Sequence, residues 1–240
     1  MIQKLQTINS TSAYLSGLLK NSELPDRYCV CADFQTSGRG QAGSWEAENG
    51  KNLLFSFYLK TDKIPLQSQF LLSEIVALGI LSALKKYLPE IKIKWANDIF
   101  YQDKKLCGIL VEPAVLGNKM KHAVVGIGLN VNQSVFLQNS ETATSLKIVL
   151  QRDFDLNAIL EEILMEIFSL YDHFSTENSA ELQKNYFENL YRNSGFHFFE
   201  AYNEIFKAKV LSVNSDGRLN LLTNNGLERN FYFKEVKFLI

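Results

Sequence analysis

Lys94-Trp95-Ala96-Asn97-Asp98-Ile99-Phe100-Tyr101-Gln102-Asp103-Lys104-Lys105-Leu106-Cys107-Gly108-Ile109-Leu110-Val111-Glu112 is the segment from which the rest of the chain can be placed. Ile91, Ile93 and Trp95 alternate with Lys92 and Lys94, the period-two pattern of a strand with one buried face. Ile99–Tyr101 and Lys105–Glu112 flank the polar turn Gln102-Asp103-Lys104 and read as two more strands. Asn97 and Asp98 fall where one strand ends and another begins, a place from which side-chain oxygens reach a metal-bound phosphate. Lys105 opens the next strand, and Gly108 leaves bare backbone that a ligand can approach. Taken alone, Asn97-Asp98 is also ordinary turn chemistry, and Lys104-Lys105 a solvated hairpin tip.

Toward the N-terminus, an apolar helix is predicted from about Leu66 to Leu88, stopped by Pro89. Before it lies a strand over Asn52–Leu59 and, earlier, another over Tyr28–Phe34. Between these strands runs the polar, glycine-rich stretch Gln35–Lys51, too long for a simple turn. Its core, Gln35-Thr36-Ser37-Gly38-Arg39-Gly40-Gln41-Ala42-Gly43-Ser44-Trp45, is not a Walker motif. Glycines let backbone N–H groups turn toward an anion, Arg39 adds a forked cation, and Trp45 offers a flat ring; a flexible surface loop is the plainer alternative. Ser10-Thr11-Ser12 supplies N-caps for a first helix over Ala13–Lys20.

Toward the C-terminus, Ala123–Val131 is a buried strand holding Gly126 and Gly128. Each glycine weakens a strand by roughly 0.5–1 kcal/mol relative to alanine, so both imply space needed by a neighbour, or a bulge. Amphipathic spacing predicts a helix over Asp155–Phe174, capped by Asp155, and a second over Ser179–Arg192. After Gly195 come short alternating strands at Ile205–Val213, Arg218–Thr223, Leu227–Phe233 and Val236–Ile240, with the turn signals Asn214-Ser215-Asp216-Gly217 and Asn224-Asn225-Gly226. Such strands imply a small closed barrel, because closure removes exposed edges. The fold class is α+β: a mixed-sheet domain over residues 1–193 and a β module over 194–240.

Composition narrows the function classes. With 46% hydrophobic residues, 21% charged and a net charge of −1 over 240 residues, the chain can bury a core but has no basic excess to drive nucleic-acid binding. Cys29, Cys31 and Cys107 match no zinc spacing or disulfide framework and read as small buried hydrophobes. The N-terminus has no signal-peptide run, and the apolar stretch near Phe70–Leu84 is too interrupted to span a bilayer, so a cytoplasmic protein without membrane contact is expected.

Five motifs stand in order: Ser-Thr before the first helix, Gly-Arg-Gly after the next strand, Lys-Trp-x-Asn-Asp, Lys-Leu-x-Gly-Ile-Leu-x-Glu, and Gly-Ile-Gly-Leu-Asn-Val. Together they resemble the biotin–protein ligase family, and the resemblance covers nearly the whole chain. It implies a core like that of class II aminoacyl-tRNA synthetases, a mixed sheet flanked by helices, followed by a Src-homology-3-like β-barrel. It implies ATP-dependent formation of biotinyl-5'-AMP with loss of pyrophosphate. Biotin then passes to a lysine of the biotin carboxyl carrier domain of a biotin-dependent carboxylase. The substrates are biotin and ATP, with Mg²⁺ as cofactor.

By the same resemblance, Ser10, Thr11 and Gln35 bond the ureido end of biotin or line its pocket, Gly38, Arg39 and Gly40 close over biotin and the adenylate, and Trp45 stacks on adenine. Asn97 and Asp98 serve the phosphates, with Asp98 on the metal. Lys105 holds the carboxylate and α-phosphate, so Lys105 and Arg39 are the catalytic pair. Gly108, Gly126 and Gly128 line the pocket, and Asn130 contacts the nucleotide. Two departures are visible: Ala96 stands where the family usually has proline, and Gln41-Ala42 follow Gly40 where further basic residues are usual. Because the chain begins at the catalytic domain, a DNA-binding repressor role is not expected. The sequence leaves open the carrier, the role of the β module and the oligomeric state, a homodimer being one option. The rival readings are a lipoate or octanoate ligase or transferase on the same scaffold, and a silent ligand-binding protein.

Overall fold

The computed structural model describes the chain except residues 41, 42, 46, 138–140 and 240, and except the side chains of residues 39, 43 and 44. In chain order the main elements are β1 (Ile2–Ile8), α1 (Thr11–Asn21), β2 (Cys29–Gln35), β3 (Arg39–Gly40), β4 (Gly43–Ser44), β5 (Leu53–Lys60), α2 (Phe70–Lys85) and β6 (Lys92–Lys94). There follow β7 (Asp98–Tyr101), β8 (Lys104–Leu116), β9 (Lys119–Leu129), α3 (Leu146–Leu150), α4 (Leu156–His173) and α5 (Ser179–Glu188). The chain ends with β10 (His197–Ala201), β11 (Glu204–Val213), β12 (Leu219–Thr223), β13 (Glu228–Phe231) and β14 (Lys237–Phe238).

The large sheet runs β1-β2-β5-β9-β8-β7-β6, parallel only between β1 and β2 and antiparallel elsewhere. Residues alternate between its faces. Phe55, Phe57, Val125, Ile127 and Ile109 join α2 and α4 in the main core. Helix α2 is buried almost all round, as its continuous apolar sequence requires. The opposite face carries α1, whose Leu15 packs on Val30, Tyr58 and Val124 in a smaller cluster. Two caps expected from sequence are in place. Asp155 accepts from the amides of Asn157 at 2.8 Å and Ala158 at 3.4 Å, and Ser10 accepts from Ala13 at 3.4 Å.

The C-terminal strands form a second antiparallel sheet in the order β13-β12-β11-β10-β14. This corrects the closed barrel expected from the sequence: among the described residues no ladder joins the edge strands β13 and β14. With four and two residues, these edge strands offer few backbone groups for such a ladder. Aromatic packing fills the space instead. Phe206 stacks against Phe199 at 6.0 Å and Phe231 at 5.9 Å, and Phe238 tilts onto Phe199 at 4.9 Å. No helix among the described residues is long and apolar enough to cross a membrane.

Candidate active site

Strand register places the site. Asp98, Gly108, Gly128 and Leu54 lie in one cross-strand row over β7, β8, β9 and β5. The neighbouring row on the same face holds Leu110, Gly126 and Ser56. The rows are two residues apart, about 7 Å along the strand. Three glycines on one face leave a floor of bare backbone beneath α1. Ser10, Thr11, Ser12, Gln35, Gly40, Trp45, Asn97, Lys105, Gly108, Gly126 and Gly128 converge on a single cavity above it, whose free volume is about 40 Å³.

One row is polar. The hydroxyls of Ser12 and Ser56 are 2.9 Å apart, and those of Ser56 and Thr11 are 2.8 Å apart. Thr11 donates onward to Gln35 Oε1 at 3.0 Å from its hydroxyl and at 2.7 Å from its amide, a first-turn donor with no partner inside the helix. This fixes the amide of Gln35 with its oxygen toward α1, leaving the Nε2 donor on the side of Gly38. Gly126 makes the row possible, since a Cβ there would stand 2.5 Å from Ser12 Oγ. All three hydroxyl residues are buried.

The other row is charged. Lys105 Nζ lies 2.7 Å from Asp98 Oδ1 and 5.4 Å from the centre of the Trp45 ring. Asp98 Oδ1 is buried, and among the described residues it has this ion pair but no hydrogen bond. The indole of Trp45 rests on the glycine floor, where a Cβ on Gly108 or Gly128 would come within 2.8 or 2.7 Å of it. Its Nε1 is buried and has no partner among the described residues. Asn97 is clamped to β8, donating from Nδ2 to Ile109 O at 2.7 Å and accepting on its own carbonyl from Ile109 N at 2.8 Å. Lys94, opposite Asp98, lies 4.4 Å over the Phe100 ring. Burial draws its pKa down, while Asp98 opposes the shift.

Other expected site residues fall outside the cavity lining or outside the described atoms. Gly38 stands beside it, accepting from Trp45 N at 3.1 Å. Asn130 is buried behind Lys105: it donates to Thr144 O at 3.0 Å, Thr144 N donates to Lys105 O at 2.9 Å, and the Oδ1 of Asn130 has no partner among the described residues. The Arg39 side chain, Gln41 and Ala42 lie outside the described residues, but the β3 backbone runs beside β8. Ser12 and Ser56 escape a reading of the sequence. Ser12 stands within a helix-capping motif that accounts for it without a ligand; Ser56 lies mid-strand, and its partners come from distant segments. Burial raises the thiol of Cys29 to about 12, of Cys31 to about 11 and of Cys107 higher still, which disfavours the reactive thiolate.

Residues 5–130 match the sequence model of the Biotin/lipoate A/B protein ligase family. The bifunctional ligase/repressor BirA of Bacillus subtilis is 30% identical over 217 residues, covering 88% of this chain and 66% of that protein. The biotin–[acetyl-CoA-carboxylase] ligase of Mycobacterium tuberculosis is 30% identical over 163 residues, 66% of this chain and 59% of the relative. The chain thus spans roughly two thirds or less of these relatives' lengths. A biotin protein ligase from Aquifex aeolicus, solved with biotin and ATP, superposes with a TM-score of 0.81 over 99% of both chains at 23% identity, a likeness of fold.

Proposed function

The chain belongs to the biotin/lipoate A/B protein ligase family, and on that premise we propose that it is an ATP-dependent biotin–protein ligase acting in the cytoplasm. The observation that carries this reading is the polar row. A ureido ring offers two N–H donors and one carbonyl acceptor, which a chain of hydroxyls ending in an oriented carboxamide can match. A lipoyl or octanoyl chain has nothing to bond there, so it would gain nothing from the free donor and acceptor capacity of this row, above all the Gln35 amide. Carriage of Lys105, Asp98 and the glycine floor together speaks against a silent scaffold.

With the ureido ring over the row of Gly126, the valeryl chain runs toward the row of Gly108 and Gly128. The carboxylate then arrives near Lys105. Its oxygen attacks the α-phosphorus of ATP, the bond to the β-phosphate oxygen breaks, and pyrophosphate leaves. That step brings an anion to a polyanion, and Lys105 offsets the repulsion in a site largely shielded from water. Asp98 orients the ammonium, and Arg39 on the flap is the second cation. The ε-amine of a carrier lysine next attacks the anhydride carbonyl, AMP leaves, and the amine loses a proton. No enzyme nucleophile is needed. The cavity is too small for biotin while the indole lies on Gly108 and Gly128, so binding displaces Trp45, which can then cover the nucleotide. The partner is a biotin carboxyl carrier domain.

Mg²⁺ fits this site in one way. Among the described residues no cluster of three His, Cys, Asp or Glu could cage a metal. Asp98 Oδ1, buried and without a hydrogen bond among those residues, is an oxygen donor suited to an ion shared with phosphates, as Mg²⁺ binding usually requires. Bound there with Asp98 and the phosphates, the ion would neutralise charge on the leaving pyrophosphate.

The test is pyrophosphate release from Mg·ATP with biotin, octanoate or lipoate. Release with biotin alone supports the proposal. Release only with octanoate or lipoate transfers the reading to that branch of the family, and none with any acid leaves a ligand-binding protein.

A further inference from the structure

Trp95, Ala96 and Asn97 form the short loop between the paired residues Lys94 and Asp98, and the loop is held at both ends. Asn97 is bonded to Ile109 on β8. Trp95 is held by the other sheet: its Nε1 donates to Gly217 O at 2.9 Å, and Phe233 meets its ring edge-on at 6.1 Å. Gly217 sits in a braced turn. Its amide donates to Asn214 O at 2.8 Å, Asn214 N donates to Arg218 O at 2.8 Å, and Arg218 Nε donates to Asp216 at 2.7 Å. At φ +89° the residue occupies the left-handed region, and a Cβ would fall 2.7 Å from the Phe70 ring of α2. The turn therefore seats close against the large domain, with its carbonyl aimed at the indole.

We infer that this turn, residues 214–218, is a positioning element of the active site, acting through Trp95 on Asp98 and Lys105. The inference rests on the ligase reading for its kinetic consequence and on geometry alone for its structural one. An indole N–H is a donor only, and Trp95 is 5% exposed, so Gly217 O is the acceptor that satisfies it. Without that bond the loop keeps the Asn97 clamp and a long 3.5 Å bond from Tyr186 Oη to Ala96 O. The Trp95 end loses its one polar anchor among the described residues and can shift. Asp98 follows directly, and Lys105 is paired to Asp98. The polar row hangs instead from α1, β2 and β5, so the two ends of the cavity should respond differently. The C-terminal sheet thereby tunes the phosphate end and leaves the ureido end alone.

Trp95→Phe in the full-length chain removes the N–H and keeps most of the ring packing. Expected is a rise in KM for Mg·ATP of about three- to tenfold, the worth of one neutral hydrogen bond. Biotin affinity, measured by calorimetry without nucleotide, falls less than the affinity for Mg·ATP, because Lys105 meets only the carboxylate of biotin and the polar row is undisturbed. Amide hydrogen exchange rises over residues 96–108 and is unchanged over 11–35. Gly217→Ala displaces the same carbonyl, and the double variant adds little to either single one, as for two halves of one contact. Unchanged exchange over 96–108 in Trp95→Phe overturns the inference. So does a parallel loss of biotin affinity, ATP affinity and thermal midpoint, which would make Trp95 a general packing residue. A wild-type protein that releases no pyrophosphate with biotin sinks the ligase reading instead, and the exchange comparison still decides the clasp.

Discussion

Gly126→Ala is the sharpest probe of the polar row. The added Cβ would lie 2.5 Å from Ser12 Oγ and 3.4 Å from Ser56 Oγ. Ser12 has only one rotatable bond, so it yields by swinging its hydroxyl away and breaking the 2.9 Å contact with Ser56. Losing that bond and the one it prepares for the ligand weakens biotin binding by about 1–3 kcal/mol, roughly 5- to 150-fold in Kd. The fold gains from the same change, because replacing glycine within a strand is worth about 0.5–1 kcal/mol, and this offsets most of the lost hydrogen bond. Affinity should therefore fall while the thermal midpoint hardly moves. Calorimetric titration of biotin without ATP, beside thermal unfolding, separates the two. Ser12→Ala makes room for the methyl group, so the double variant should bind no worse than Ser12→Ala alone. Wild-type biotin affinity in Gly126→Ala would refute both the row's role and the orientation assigned to biotin.

Three further outcomes are expected. Lys105→Ala removes the cation beside Asp98, and pyrophosphate release should fall by about 10²- to 10³-fold with unchanged circular dichroism; near-normal release would mean the charge is supplied elsewhere. Burial raises the Glu74 carboxyl to about 8, so the folded chain keeps a proton that the unfolded chain releases near its ordinary carboxyl pKa. Over that interval the native state binds more protons and stability falls as pH rises, at roughly 1.4 kcal/mol per pH unit and by several kcal/mol at most. Glu74→Gln should flatten the decline from about pH 5 to 8 in urea-melt midpoints, and an unchanged slope would assign it to another group. Gly79→Ala would put a Cβ 2.6 Å from Ile167 Cγ1 and 2.7 Å from its Cα, forcing α2 and α4 apart. Overpacking of about 1–3 kcal/mol should outweigh the helix-propensity gain of about 1, so a raised thermal midpoint would contradict the close approach.

Much of this arrangement is legible in sequence where local pattern and tertiary role agree. The apolar run is α2, Asp155 caps α4, and the alternation around Lys94–Glu112 is β6 to β8. Strands escape notice where the pattern is diluted. Ile2–Ile8 is an edge strand with little buried surface, and in His197–Ala201 the adjacent Phe198 and Phe199 hide the alternation. Strands β8 and β9 continue to Leu116 and back from Lys119, beyond the expected limits, because their hairpin tip is mostly exposed and Met120 alone buries there, too little to show an alternation. The closed barrel overreaches from edge-strand logic: two very short edge strands leave little edge to protect. The glycine-rich loop looks irregular in sequence, yet Arg39–Gly40 and Gly43–Ser44 pair as a small hairpin.

The site residues divide by the same logic. Glycines 108, 126 and 128 are conspicuous because a strand that accepts them gives up stability, and such a loss invites a reason. Ser56 carries no such mark: a serine in a strand is unremarkable until register sets it opposite Gly126 and folding brings Ser12 above it. Motif order can point to the charged row, whose residues lie close together in the chain. The polar row is assembled from α1, β2 and β5, segments up to 45 residues apart, and only the sheet makes it one surface. On the proposed function, recognition of the acid depends on long-range packing, whereas activation depends on a local loop clamped between two sheets. Substitutions that loosen the large domain should erode biotin affinity first, and those in the 214–218 turn should erode handling of ATP first. Should both functions decline together whichever element is disturbed, the separation into two rows about 7 Å apart would have no energetic meaning.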